Sequence, residues 1–303
     1  MVLFFEKILY LDDALMWEEE IIFRHSGGVI WVSCSPSGDY LASLGEDNCI
    51  TIYSFRDRGV GLFMKGLGPA FTCACWSLRG LLAVGTQKSD IFIFDIERRK
   101  REIKQLLHHS ARINCMSWRS VLASGGEDKA IILWDIDQRK HILALRKHKK
   151  EVLSIDWSPD GKYLVSGGRD KKVFIWKISD KKPLVELPKH TDIVMAVAFS
   201  NDGKLIASCT RDGILKIWKF GTWSLHKTVK LESTPRAISW SPDGRKIAIA
   251  CGDGKIAILD IASSGLESFN AHKGCATVVA WCQHRGILLS GGSDGIVKLW
   301  KKH

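Results

Sequence analysis

An all-β ring of seven four-stranded antiparallel blades is the fold class the sequence predicts, and three observations predict it. A pattern of residues recurs about every 41 positions, the length of one such blade. Within each copy the apolar residues alternate with period two, as strands require. Between those runs stand turn residues at a constant phase.

The recurring pattern is a His, an aromatic or Cys nine residues on, a polar turn, an Asp, and an aromatic six residues after it. In chain order the first copy is His25, Cys34, Asp47 and Tyr53. A degenerate second copy is Leu67, Trp76, Lys88 and Phe94. His109, Trp118, Asp128 and Trp134 form the third, with one turn shortened by three residues. The fourth is His148, Trp157, Asp170 and Trp176, and the fifth His190, Phe199, Asp212 and Trp218. Leu231, Trp240, Asp253 and Leu259 make a degenerate sixth, and His272, Trp281, Asp294 and Trp300 the seventh. The anchors stand at 25, 67, 109, 148, 190, 231 and 272, a spacing of 39 to 42 residues.

Copy four shows the strands. Val152, Ser154 and Asp156 alternate with Leu153, Ile155 and Trp157, which predicts one strand with two faces. Ser158-Pro159-Asp160-Gly161 supplies a turn in which Pro presets φ and Gly takes positive φ. Residues 162–166 and 172–176 read as the next two strands, and 142–146 as the fourth strand of the preceding copy. After Trp300 no fourth strand follows, so 18–24 is predicted to close the ring by pairing with 296–300. Residues 1–17 then form an extra N-terminal segment, with a spare strand-like stretch at 8–11. The whole chain reads as one domain.

Composition bounds the functions. The chain has 303 residues, is 46% hydrophobic and 25% charged, and carries a formal charge of +11. Glu6 and Lys7 interrupt the opening apolar run, and no apolar stretch approaches the roughly 20 residues of a membrane helix. The nine cysteines show no paired metal spacing. Read as small reduced core residues, they point to cytoplasm or nucleus. No phosphate-binding loop, dinucleotide fingerprint, zinc spacing or calcium loop occurs, so neither metal nor cofactor is predicted. Gly291-Gly292-Ser293-Asp294-Gly295 matches a nucleophile elbow in letters. An elbow needs a strand-to-helix turn, whereas this stretch reads as a hairpin.

These motifs resemble the WD-repeat family, whose blade-ending dipeptide stands at Trp134-Asp135 and is varied at Trp176-Lys177, Phe94-Asp95 and Leu259-Asp260. The resemblance covers residues 25 to 300 and implies a seven-bladed β-propeller. It also implies that the recurring Ser, His, Asp and Trp are a structural hydrogen-bond chain rather than a hydrolytic triad. That assigns His25, Asp47, His109, Asp128, His148, Asp170, His190, Asp212, His272 and Asp294 to structure. Copies two and six, lacking the His, are expected to be the softest blades.

The resemblance further implies partner binding on the narrow top face, through side chains three and five residues after each anchor and just before each Asp. That offset selects Arg112, Glu151, Leu153, Arg169, Ile193, Met195, Arg211 and Arg236. Apolar anchors beside arginines suit an acidic, apolar-bearing peptide. A second candidate is a basic surface after the third strands: Arg98, Arg99, Lys100, Arg101, Arg139, Lys140, Lys181 and Lys182.

The function read from this is a non-catalytic scaffold, a monomeric propeller inside a hetero-complex of proteins. One alternative is an RNA- or ribosome-associated factor working through the basic surface. Another is a substrate-recognition subunit of a ubiquitin ligase. His109-Ser110-Ala111-Arg112-Ile113-Asn114 and Ala83-Val84-Gly85-Thr86 resemble blades of the activators of the anaphase-promoting ubiquitin ligase. Trp134-Asp135-Ile136-Asp137 lacks the Arg of a cullin-ligase docking box.

Overall fold

The computed structural model describes residues 17–302, apart from 67, 97 and 99. Seven separate four-stranded antiparallel sheets make up those residues. Blades 1 to 6 run over 29–65, 71–107, 113–146, 152–186, 194–230 and 235–270, each in simple up-and-down order. Blade 7 takes its three inner strands from 276–302 and its outermost from Trp17–Arg24. The closing strand pairs antiparallel with Ile296–Lys302, from Trp17 opposite Lys302 to Arg24 opposite Ile296. The pairing thus runs slightly beyond 18–24 and 296–300. Ion pairs of Glu19 with Lys298 at 2.8 Å and Glu20 with Lys301 at 3.5 Å reinforce it. The segment 1–16, with its strand-like stretch at 8–11, lies outside the described residues.

Each inter-blade interface holds its own apolar cluster. Leu122, Ile132 and Trp134 of blade 3 pack on Ile91 and Leu106 of blade 2, and Trp176 of blade 4 packs with Leu133 of blade 3. The seam is built the same way, with Val29 and Leu41 of blade 1 against Val278 and Leu289 of blade 7. The core is therefore a ring of repeated interfaces, each burying one sheet face on the next.

Two sequence readings need correction. The innermost strand of blade 4 does not alternate cleanly: Val152, Ile155 and Trp157 are buried, while both Leu153 and Ser154 are half-buried. A register shift between Val152 and Ser154 inserts an extra residue, and a bulge moves every later side chain to the opposite face. The same shift recurs at the start of each innermost strand. The second correction concerns Cys34 and Cys282, which form a disulfide between the innermost strands of blades 1 and 7 instead of standing reduced. They lie 248 residues apart, and only ring closure brings their Cα atoms to 5.4 Å.

Candidate partner-binding site

The bulges decide what faces the central channel. In every blade the inserted residue is the one five places after the anchor: Ile30, Thr72, Asn114, Leu153, Met195, Arg236 and Thr277. All seven line the central cavity, whose volume is about 490 Å³. A bulge bends the strand and re-aims its extra side chain, so one local irregularity used seven times builds the channel rim. The residues three after each anchor form a second circle. Each accepts, at its carbonyl, the N–H of the residue before the Asp, or before Lys88 in blade 2, at 2.8–3.0 Å; Glu151 and Arg169, Ile193 and Arg211, and Arg112 and Glu127 are such pairs.

The structure thus brings Leu153, Met195 and Arg236 together on the rim over three consecutive blades. Ile193 stands outside the channel lining, half-buried beside its turn. Arg169 and Arg211 are less available than the sequence implied. Arg169 lies 3.8 Å from Glu151, and Arg211 holds Asp192 with Nε at 2.9 Å and Nη2 at 3.3 Å. Sequence reading missed Asp192, which occupies the next position along the turn. Exposed pairs of this kind contribute about 0–1 kcal/mol, so a partner carboxylate could displace them at small cost. Arg112 and Arg236 are exposed and have no ion-pair partner among the described residues.

Below the rim one carboxylate clips three blades together. Asp156 accepts the Ser117 hydroxyl of blade 3 at 3.2 Å and the Phe199 N–H of blade 5 at 2.8 Å. Burial pushes its carboxyl up to about 6, against the pull of those donors.

The structural chains hold in four blades. In blade 3, Trp134 donates to the Ser124 hydroxyl at 2.7 Å, Ser124 bonds His109 Nε2 at 2.7 Å, and His109 Nδ1 reaches Asp128 at 2.9 Å. Blades 4 and 7 repeat it through His148 and Asp170, and His272 and Asp294. Blade 1 keeps His25 between Ser43 and Asp47, with Tyr53 in place of Trp. Burial raises the Asp128 and Asp170 carboxyls, but their histidines and backbone N–H donors outweigh it and hold both below the ordinary value.

Blade 5 departs from the expectation. His190 Nε2 meets Ser208 at 2.8 Å, but its buried Nδ1 has no partner among the described residues, and Asp212 turns to the hydroxyls of Thr191 and Thr210, each at 2.6 Å. Burial consequently pushes His190 down to about 4. The cause is Thr210, which stands where four other blades have Gly. A Cβ at Gly45 would lie 2.5 Å from Asp47 Oδ1 and closer still to His25 Nδ1, and one at Gly292 2.5 Å from His272 Nδ1 and 2.7 Å from Asp294 Oδ1. Only glycine leaves the His–Asp bond room to pass.

The stretch 291–295 is a hairpin turn: Ser293 accepts the Cys275 N–H at 2.9 Å, and Asp294 belongs to its structural chain. At the opposite end of the ring lie the turns after the third strands. Arg98, Arg139, Lys140, Lys181 and Lys182 are exposed there, on three consecutive blades. Arg99 lies outside the described residues, and Lys100 and Arg101 begin the outermost strand of blade 2.

Two family models match the chain. Residues 119–303 match the IFT122 first beta-propeller, and 18–54 and 100–135 match the WD domain, G-beta repeat. Each shorter match begins with an outermost strand of one blade and continues through three strands of the next. The repeat in sequence is therefore offset from the blade in space, which is why the ring must close with an N-terminal strand.

Proposed function

This chain belongs to the WD-repeat β-propellers, in the family of the IFT122 first beta-propeller, and on that premise we propose that it is a non-catalytic docking platform within a multi-subunit assembly. The observation that supports this reading is the ring of bulge-presented side chains around the channel, with Leu153, Met195 and Arg236 on consecutive blades. Two apolar side chains beside an unpaired guanidinium fit a partner segment that carries an apolar residue and a carboxylate. Arg112, Arg169, Arg211 and Glu151 form its polar surround, with Ile193 an apolar residue beside them. The working compartment in this reading is the cytoplasm or nucleus, where the Cys34–Cys282 disulfide would have to withstand a reducing thiol pool.

The test is affinity capture of the tagged protein from native extract, with and without RNase, at low and moderate salt. Proteins that survive both treatments, and are lost from a Leu153→Asp, Arg236→Glu variant that still folds, support the platform. The exposed basic turns on blades 2 to 4 favour a second reading, an RNA-associated factor. Loss of partners on RNase or modest salt would put that reading first, because phosphate contacts release counterions and weaken steeply with salt.

A further inference from the structure

We propose that the end of the central channel away from the rim binds a primary ammonium group on an aliphatic stem, received by the Asp156 carboxylate. A cavity of about 320 Å³ opens there beside blades 3, 4 and 5, at the low end of the range for ligand sites. It meets the channel at Asp156, Phe199, Asn201 and Gln283, which line both. Asp156 is the one carboxylate in either lining, and among the described residues no cation stands at ion-pair distance from it. The site does not depend on what docks at the rim.

The fold does not require a charge at this position. Eight residues after each anchor, the other blades place Ser33, Cys75, Ser117, Ala198, Ser239 and Ala280. In blade 6 the Ser239 hydroxyl accepts the Trp281 N–H of blade 7 at 3.0 Å. Asp156 makes the same tie with the Phe199 N–H of blade 5 at 2.8 Å. A serine therefore suffices for the structural tie. Blade 4 carries a carboxylate instead, although burial disfavours its charge and lifts its pKa to about 6. A local rule broken without structural gain marks a functional position.

The hydrogen bonds decide the ligand chemistry. A carboxylate offers about four lone-pair positions. Oδ1 takes two donors, the Ser117 hydroxyl at 3.2 Å and the Trp157 N–H at 3.0 Å, while Oδ2 takes the Phe199 N–H. One position is left, on Oδ2. A guanidinium fork needs both oxygens, whereas an ammonium is a point donor and needs one. A divalent metal is short of ligands, since no group of three or more His, Cys, Asp or Glu gathers among the described residues. Trp118 and Trp157 in the lining suit an aliphatic stem. Gln283 Oε1 accepts one N–H from Asn201 at 2.9 Å and keeps a second lone pair for the ammonium. From blade 3, exposed Arg119 is tied through Nε to the Pro159 carbonyl at 3.1 Å, and it acts on the carboxyl less than any of the three hydrogen bonds. Blade 5 brings no charged residue to the lining.

The experiment titrates the full chain with n-butylammonium at pH 7, followed by NMR at the indole N–H signals of Trp118 and Trp157. Saturable shifts are expected, and n-butanol, a similar stem without the charge, should give none at equal concentration. Asp156→Ser keeps an acceptor for the Phe199 N–H and is expected to weaken binding at least roughly tenfold, the loss of one charge-assisted hydrogen bond. Asp156→Asn repeats the test if the serine variant melts early. Affinity should also fall roughly tenfold from pH 7 to pH 5, because the carboxyl titrates at about 6 and loses its charge as pH drops through that value. Unchanged affinity in the variants or across that pH range overturns the proposal, as does equal binding of n-butanol or tighter binding of n-butylguanidinium. A capped peptide with a central Lys separates the two sources of the ammonium. Binding as tight as n-butylammonium assigns the site to a partner's lysine, and weaker binding assigns it to a free amine.

Discussion

One methyl-bearing carbon separates blade 5 from its neighbours. With glycine at the position of Thr210, a buried imidazole reaches its carboxylate; with threonine, the hydroxyl takes the carboxylate and His190 loses its acceptor. Gly292→Thr should reproduce the defect in blade 7. The expected loss is about 1.5–3 kcal/mol, the value of a hydrogen bond to a charged group, read from urea midpoints. Thr210→Gly should release Asp212 to His190. The pH dependence follows from the sign of the shift. His190 is depressed to about 4 from 6.5, so between those values the unfolded chain takes up a proton that the folded chain refuses. Stability from this group is complete above pH 6.5 and falls as pH drops, by at most about 1.4 kcal/mol per unit. Urea midpoints at pH 7 and pH 5 should differ less for Thr210→Gly than for the wild type. An unchanged difference would remove Thr210 as the cause.

At the scale of the strand, the bulge and the closing strand do the most. A seven-fold bulge takes the residue after each strand's first position out of the alternation and points it at the channel. That irregularity, rather than any loop, composes the rim. The closing strand supplies the outer edge of blade 7, and without it Ile296–Lys302 would present unpaired backbone groups. A chain beginning at residue 25 is expected to form oligomers or aggregate, seen by light scattering, while the full chain stays monomeric. The Cys34–Cys282 disulfide spans nearly the whole sequence. In the chain-entropy account, closing so long a loop stabilises by roughly 5 kcal/mol. Reductant should therefore lower the melting temperature of the wild type and leave that of Cys282→Ser unmoved. Equal shifts would deny the disulfide a role in holding the seam.

Considered whole, the molecule is a ring of near-equivalent interfaces that presents two unlike ends. One end carries the channel rim, where Leu153, Met195 and Arg236 meet. The other carries the basic turns, with Arg98, Arg139, Lys140, Lys181 and Lys182 exposed. A platform with two chemically distinct ends can hold two partners at once. Separate variants should therefore lose separate partners: Leu153→Asp with Arg236→Glu one set, and Arg139→Glu with Lys182→Glu another, counted by capture and mass spectrometry. Loss of the same proteins from both would merge the two surfaces into one extended interface. The fold itself is neutral on their identity, because one architecture carries many functions.

The repeat made the architecture legible. Anchor spacing, strand alternation and turn residues all recur locally along the chain, so seven blades, their order and the closing strand could be read without coordinates. The Thr210 defect was also written in the sequence, as a threonine where four copies have glycine, though its meaning needs the His–Asp distance. What tertiary structure alone decided depends on contacts between residues far apart. The disulfide joins positions 248 residues apart. The pairing of Arg211 with Asp192 depends on where two turns end up, and the seam packing on how blade 7 meets blade 1. Bulges were hidden for a related reason: one extra residue leaves composition and spacing intact and changes only which side chains face the channel.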